Sequence, residues 1–349
     1  MTPKIAIVGA GLAGLACARR LAAAGAQVTL FEKSRGVGGR CATRRSECGP
    51  FHHGAPSFAA HDPAFRAEVA RWQAAGWVRP GPRAGTWVGW PTMNTLARQL
   101  ADGLHVVTET TVTALERDSP AAGHDGGAWR LRCAEAGAAP RGAFDAVVVA
   151  APAEQAVALT QASVQLQRWL HAVRSQPCWT LMLAWPEGAA PVAMPPLPAD
   201  GPLALGVDCS ALPQPPGGGS VAGTPAAGTR WTLHARADWS HAHLEAAPAM
   251  AAEAMLQALR AACPAAQPLP APTHAVAHRW RYAQVAAPAA APFGWDAALR
   301  LGCCGDAWQG APVPAGPTLP DGIERAWLSG VGLADGLRQA LDAPAPRAA

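Results

Sequence analysis

The chain has 349 residues, half of them hydrophobic, which suits about two domains that each bury a core. Its formal net charge is +4 and no basic run extends beyond Arg44-Arg45, so no nucleic-acid partner is expected. No apolar run approaches the ~20 residues of a membrane-spanning helix, so no membrane partner is expected either.

The nine cysteines are odd in number and dispersed. They form no C-x-x-C pair and no Cys/His spacing that suits zinc, so no metal site is expected. Cys303-Cys304 lie in an apolar run and read as buried thiols. The first apolar strand begins by residue 5, which leaves no room for a signal peptide and points to a reduced, cytoplasmic protein. Among the 28 basic residues only Lys4 and Lys33 are lysines.

In chain order, Ile5 to Val8 reads as a buried parallel strand. Gly9, Gly11 and Gly14 follow as G-x-G-x-x-G, and Leu12 to Ala24 is helical in composition, ended by Gly25. A second strand, Gln27 to Phe31, delivers Glu32 about twenty residues past the glycines, which completes the dinucleotide-binding context. Gly9 permits the tight turn, Gly11 leaves room for a pyrophosphate, and Gly14 lets the helix sit close to the strand. The helix start, with Leu12 and Ala13, offers N–H groups and a positive dipole end to the phosphates. Glu32 is placed to accept hydrogen bonds from ribose hydroxyls.

A second glycine cluster, Lys33-Ser34-Arg35-Gly36-Val37-Gly38-Gly39-Arg40, follows at once. Far downstream, Leu299 to Asp306 ends an apolar strand in Gly305-Asp306. These elements together resemble the flavoproteins with two dinucleotide-binding domains. The resemblance implies FAD, with Lys33, Gly38, Gly39 and Arg40 beside it and Asp306 bonded to its ribityl chain. It also implies that Val112 presents its backbone to the adenine.

Phe51-His52-His53-Gly54-Ala55-Pro56-Ser57-Phe58, after Gly38-Gly39-Arg40-Cys41-Ala42-Thr43-Arg44-Arg45, resembles renalase and its bacterial relatives within the flavin amine oxidase superfamily. Relatives carry Asp where this chain has His52, which receives no catalytic role here. His53 reads as a structural histidine beside the cofactor. Residues 61 to 80 read as helical, with Phe65, Val69 and Trp72 on one face. Gly85 to Pro91 reads as strand and turn, and Met93 to Leu100 as a short helix capped by Thr92 or Asn94. Val106 to Leu115 is a strand pair or an extended segment, Gly123 to Gly127 a turn, and Trp129 to Cys133 a strand. Phe144 to Pro152 is an apolar strand that rejoins the parallel sheet.

From about residue 165 to 290 short alternating strands dominate, among them Thr180 to Trp185 and Trp231 to Ala237. Pro213 to Gly228 reads as a surface loop, and Ala246 to Ala262 as a helix with Met250, Ala254, Leu256 and Leu259 apolar. In Ala277 to Ala283, His278, Trp280 and Tyr282 share one strand face while Arg279 and Arg281 share the other. That face either lines a substrate cleft or forms a cross-strand ladder. The resemblance favours Trp280 and Tyr282 near the flavin. Arg325 to Ala334 reads as a strand and a Ser329-Gly330 turn, then a helix to about Leu341. By resemblance that helix points its N-terminus at the flavin.

The expected fold is α/β: a Rossmann-like FAD-binding domain (1–60, 92–160 and 293–349) and an α+β substrate domain on a mostly antiparallel sheet (61–91 and 161–292). The FAD is expected to be non-covalent, because no cysteine follows Ser329-Gly330. The resemblance implies an oxidase that uses O2. Amine-oxidising relatives keep a lysine bridged by water to flavin N5 and an aromatic pair, often tyrosines. Here Lys4 and Lys33 are far from such a place and Tyr282 is the only tyrosine. Oxidation of 2- or 6-dihydroNAD(P), giving NAD(P)+ and H2O2, needs no such base. An amine oxidase and a non-catalytic flavin binder are the alternatives.

Overall fold

A computed structural model describes residues 2–118, 127–135, 141–188, 193–210, 228–309 and 322–342. Its first layer is a six-stranded sheet in the order Gly294–Asp296, Leu301–Cys303, Ala146–Val149, Lys4–Val8, Gln27–Phe31, His105–Val107. The last five run parallel, and Gly294–Asp296 pairs antiparallel at the edge. Ile5, Ala6, Ile7 and Val147 to Val149 are fully buried. Continuous apolar runs of this kind are what a sheet covered on both faces requires.

On one face lie the front helix Leu12–Ala23 and the closing helix Gly322–Asp342, packed through Leu15, Leu21, Leu333 and Leu337. On the other, Val8, Phe31 and Val149 share a core with Trp129, Leu131 and Phe144 of a three-stranded antiparallel sheet. The parallel strands end at Val8, Phe31, Val149 and Cys303, so Gly9, Glu32, Ala150 and Gly305 gather along one edge. In open α/β sheets that carboxyl edge is where ligands bind.

The second layer is a four-stranded antiparallel sheet in the order Leu203–Asp208, Gly228–Ala235, Arg174–Pro186, His274–Ala287. Strand alternation gives it two unlike faces. Trp179, Leu181, Leu183, Trp185, Trp231 and Leu233 pack under the helix Pro248–Ala262 through Met255, Leu256 and Leu259. The intervening positions, including Thr180, Arg230, Thr232, His234, His278 and Trp280, occupy the opposite face.

Several local expectations change. The helix in 61–80 covers Pro63–Ala74, and Val78–Pro80 is a strand. Thr92 is the N-cap residue of Met93–Ala101 but makes no side-chain cap; its Oγ1 instead lies 2.8 Å from Asn94 Oδ1. The 106–115 stretch holds parts of two strands, His105–Val107 and Val112–Arg117, which join different sheets rather than pair with each other. Met250 is 68% exposed and Ala254 is exposed as well, so neither is part of the apolar face, which Ala251, Ala252, Met255, Leu256 and Leu259 form. Arg325 to Ala334 contains neither strand nor turn: the closing helix is continuous through it.

Phe65, Val69, Trp72 and Val78 pack into the first layer's core, and Phe65 meets Trp327 of the closing helix at 5.4 Å. The two-domain division is a proposal; this packing argues for moving 61–80 into the first unit, whereas Val88 packs with Met182 and Ala184 of the second layer. The expected turn at 123–127 and loop at 213–228 lie, except for Gly127 and Gly228, outside the described residues. Among the described residues no helix is long and apolar enough to cross a membrane.

Candidate functional site

The glycine turn at the carboxyl edge divides its work. Gly9 has φ of 104°, and a Cβ there would lie 2.5 Å from the Ala150 carbonyl oxygen. A Cβ on Gly14 would lie 2.1 Å from the Gly9 oxygen, so both glycines hold the helix tight against the sheet. Gly11 differs, because a Cβ there meets nothing within 4 Å. It borders open space, as a cradle for a bulky anion must. Gly11 caps the front helix without a side chain. The first-turn N–H groups of Leu12, Ala13 and Gly14 have no acceptor within the helix, and the dipole there favours negative charge. The second glycine cluster folds over this turn: Gly38 N–H donates to Ala10 O at 2.9 Å, and Gly39 packs on Gly11 Cα.

Glu32 is 6% exposed. Its Oε2 accepts from Ala10 N–H and its Oε1 from Ser34 N–H, each at 2.9 Å, which fixes the carboxylate beside the glycine turn. Thr110 N–H donates to Glu32 O and Glu109 N–H to Ser34 O. This brings Val112, buried in the core that holds Phe31, to the same corner. Lys33 lies outside it, exposed, with Nζ 3.4 Å from Gln155 Oε1.

Arg40 and Asp306 meet in a two-pronged ion pair, Nη1 to Oδ2 at 2.6 Å and Nη2 to Oδ1 at 2.5 Å. Burial works against the Arg40 charge, but the carboxylate outweighs it and holds the guanidinium above its usual range. Arg40 Nη1 also donates to Ala283 O at 3.3 Å, next to Tyr282 on the long strand of the second layer. A Cβ on Gly322, at the start of the closing helix, would lie 3.7 Å from Asp306 Oδ2. Ser329 and Gly330 sit inside that helix. Ser329 Oγ accepts from Gly305 N–H at 3.3 Å, and Gly330 abuts the Ala13 carbonyl. They hold the helix against the glycine turn and the Gly305-Asp306 strand end.

Trp280 stands beside this cradle. Its Nε1 donates to His53 O at 2.8 Å, and its ring lies 5.0 Å from His53 and 4.7 Å from His278. A Cβ on Gly54 would lie 2.0 Å from Arg40 O and 3.4 Å from the Trp280 ring, so one glycine's width separates them. Tyr282 is half-buried on the same strand. Arg279 and Arg281 turn to the other face, where both meet Glu245, as alternation requires.

The polar face carries neutral histidines. Burial lowers His53 to about 3, with His278 and Arg44 adding to the effect. Burial also lowers His52 and His234 to about 4, and lowers His278, helped by Arg44. His52 acts structurally, because its Nε2 accepts from Met93 N–H at 3.2 Å and so caps the helix that begins there. Sequence reasoning missed that cap, the Arg40–Asp306 pair and Glu324. The Glu324 carboxylate, 1% exposed, accepts from His61 and Asp62 N–H. None of these partners is near the other in sequence, so no local pattern announces them.

Residues 7–72 match the NAD(P)-binding Rossmann-like domain family. Short stretches match two desaturases. One is 50% identical over 54 residues to hydroxyneurosporene desaturase of Cereibacter sphaeroides, covering 16% of this chain and 11% of that protein. Another is 69% identical over 36 residues to 4,4'-diapophytoene desaturase of Staphylococcus haemolyticus, covering 10% of this chain and 7% of that protein. The chain thus spans about a tenth of these relatives' lengths.

Whole-chain likeness is to solved structures. A candidate protoporphyrinogen oxidase from Exiguobacterium sp. 255-15 matches with TM-score 0.70 at 13% identity, over 98% of this chain and 100% of that one. Cyclohexylamine oxidase from Brevibacterium oxydans IH-35A matches with TM-score 0.65 at 13% identity, over 98% and 100%. These likenesses show a shared fold.

Proposed function

We propose that the chain is an FAD-dependent oxidoreductase that holds its cofactor without a covalent bond. The observation that carries this is the convergence, at one sheet edge, of the open space before Gly11, the fixed Glu32 carboxylate and the Arg40–Asp306 pair. The free helix N–H groups and Arg40 suit a pyrophosphate. Glu32 suits a ribose, with Val112 in the same corner for the adenine, and Asp306 suits further hydroxyls. The Rossmann-domain match and the shared oxidase fold support the same cofactor.

Within that class the reading is renalase-like: oxidation of a 2- or 6-dihydroNAD(P) to NAD(P)+. FAD held in the cradle would supply the hydride acceptor and pass the electron pair to O2, giving H2O2. Loss of hydride from such a donor yields an aromatic pyridinium, so no proton has to be removed. Trp280 offers a flat wall for the ring, with Tyr282 next on the strand. The histidines around Trp280 are uncharged near neutral pH and do not repel the cation that forms. Lys4 opens the first strand, at the end opposite the glycine turn, and Lys33 points to Gln155. Neither lies beside Trp280. A reduced, cytoplasmic setting is part of this proposal.

The likeness to cyclohexylamine oxidase favours a second reading, oxidation of an amine. Oxygen-electrode assays on FAD-loaded protein separate the two. The proposal expects the dihydronicotinamide isomers to be consumed with equal amounts of H2O2 and NAD(P)+ formed. Turnover of amines alone would assign the protein to amine oxidation. No turnover of either would leave a flavin-binding protein without catalysis.

A further inference from the structure

Arg230 lies at the end of the polar sheet face away from Trp280. It pairs with Ala184 on the neighbouring strand, whereas Cys178 is the partner of Trp280. Six residues of strand separate Ala184 from Cys178, or roughly 20 Å. Phe51, Val88 and Met182 pack as an apolar plug on this face. The Arg230 end is therefore a place of its own.

The residue is 7% exposed. No carboxylate lies within ion-pair distance of it among the described residues. Its Nη1 makes one long bond, to Cys48 O at 3.3 Å, and its Nε is buried without a partner. The guanidinium is nonetheless held in place. A Cβ on Gly49 would lie 3.0 Å from Nη1 and 3.2 Å from Nε, so the flat group rests on a glycine backbone. The stretch 211–227, which leads into this strand, contains no Asp or Glu.

Beside Arg230 is a cavity of about 120 Å³, lined also by Cys48, Ala184, Trp185, Gly228 and Thr273. Its size suits an oxyanion rather than a single water. The Thr273 hydroxyl already donates to Ala184 O and the Trp185 indole to Pro270 O, which leaves the guanidinium as the recognising group. An arginine buried to this degree is ordinarily paired, because removing its charge from water is costly. A planar fork of N–H donors is the group that takes carboxylates and phosphates in two-pronged fashion.

We propose that this cavity is an anion-binding site, separate from the cofactor cradle, in which Arg230 takes a small oxyanion: a carboxylate or phosphate group, free or carried on a metabolite. The proposal does not rest on the identity of the substrate.

The test is thermal unfolding of the full chain, loaded with FAD so that the phosphate cradle is filled, in buffer of constant ionic strength. Inorganic phosphate and acetate are added separately, with wild type beside Arg230→Met and Arg230→Lys. An anion at about ten times its Kd is expected to raise the wild-type Tm by about 2 °C. That rise should vanish in Arg230→Met and persist in part in Arg230→Lys. Which of phosphate and acetate acts separates a tetrahedral from a planar ligand. An equal rise in wild type and Arg230→Met, or no rise with either anion, overturns the proposal. Should Arg230→Met fail to fold, wild-type crystals grown with selenate and, separately, with acetate decide: density for either anion within hydrogen-bond distance of the Arg230 guanidinium supports the site, and its absence with both overturns it.

Discussion

Gly11 and Gly14 belong to one motif and answer to different demands. Gly14 is required by the fold itself, since any Cβ strikes the Gly9 carbonyl. Gly11 has room for a side chain in the chain alone. Gly11→Val is therefore expected to melt within about 2 °C of FAD-free wild type yet purify without FAD, whereas Gly14→Val is expected not to fold. Flavin absorbance per chain together with circular dichroism checks both. The Arg40–Asp306 pair gives a second expectation. Asp306→Ala strips the guanidinium of its carboxylate, so FAD affinity should fall at least about tenfold and stability by about 2–3 kcal/mol, read from flavin titration and urea melts. The glycines and Glu32 are legible in the sequence because strand, turn, helix and acid follow one another locally. The pair is not, because its partners lie 266 residues apart and only the parallel sheet brings them to one edge.

Two helices show what patterning misses. The helix Met93–Ala101 takes its N-terminal cap from His52, 41 residues upstream, rather than from its own Thr92. His52→Ala should cost about 1–2 kcal/mol, and His52→Asp, which keeps an acceptor, should recover most of it in denaturant melts. The sequence of the closing helix reads as strand and turn because Ser329, Gly330 and Gly332 are turn formers beside β-branched Val331. Its glycines instead serve close packing: Gly330 on the Ala13 carbonyl, and Gly332 and Gly336 on the Phe293 ring. Tertiary contact overrides local propensity there. Gly330→Ala would push a methyl to 2.3 Å from Ala13 O. It should destabilise by about 1–3 kcal/mol and loosen FAD at the same time, because the front helix carries the phosphate-facing N–H groups.

At the scale of the molecule, a parallel sheet covered on both sides presents its carboxyl edge to the polar face of an antiparallel sheet whose other face is apolar. Alternation along 277–283 and the apolar runs at both ends of the chain make that architecture readable. The allocation of 61–80 is not readable, since an amphipathic helix does not reveal which layer its buried face meets. The histidines on the polar face set a pH dependence. His52, His53 and His234 have folded pKa values of about 4, 3 and 4, below the unfolded value of about 6.5. The unfolded chain thus binds protons first as pH falls. Stability is full above about pH 6.5 and declines below it, by up to about 2 kcal/mol per histidine at pH 5. Urea melts across that range check this, and His234→Asn should flatten the decline.

Anaerobic stopped-flow mixing of the FAD-loaded protein with 6-dihydroNAD(P), normal NADPH and a panel of amines bears most directly on whether the cradle and the Trp280 wall form a hydride-transfer site. Fast bleaching of the visible flavin band by the dihydronicotinamide isomer, and slow or no bleaching by the others, is the predicted result. Fast bleaching by amines, with the isomer inert, would contradict it.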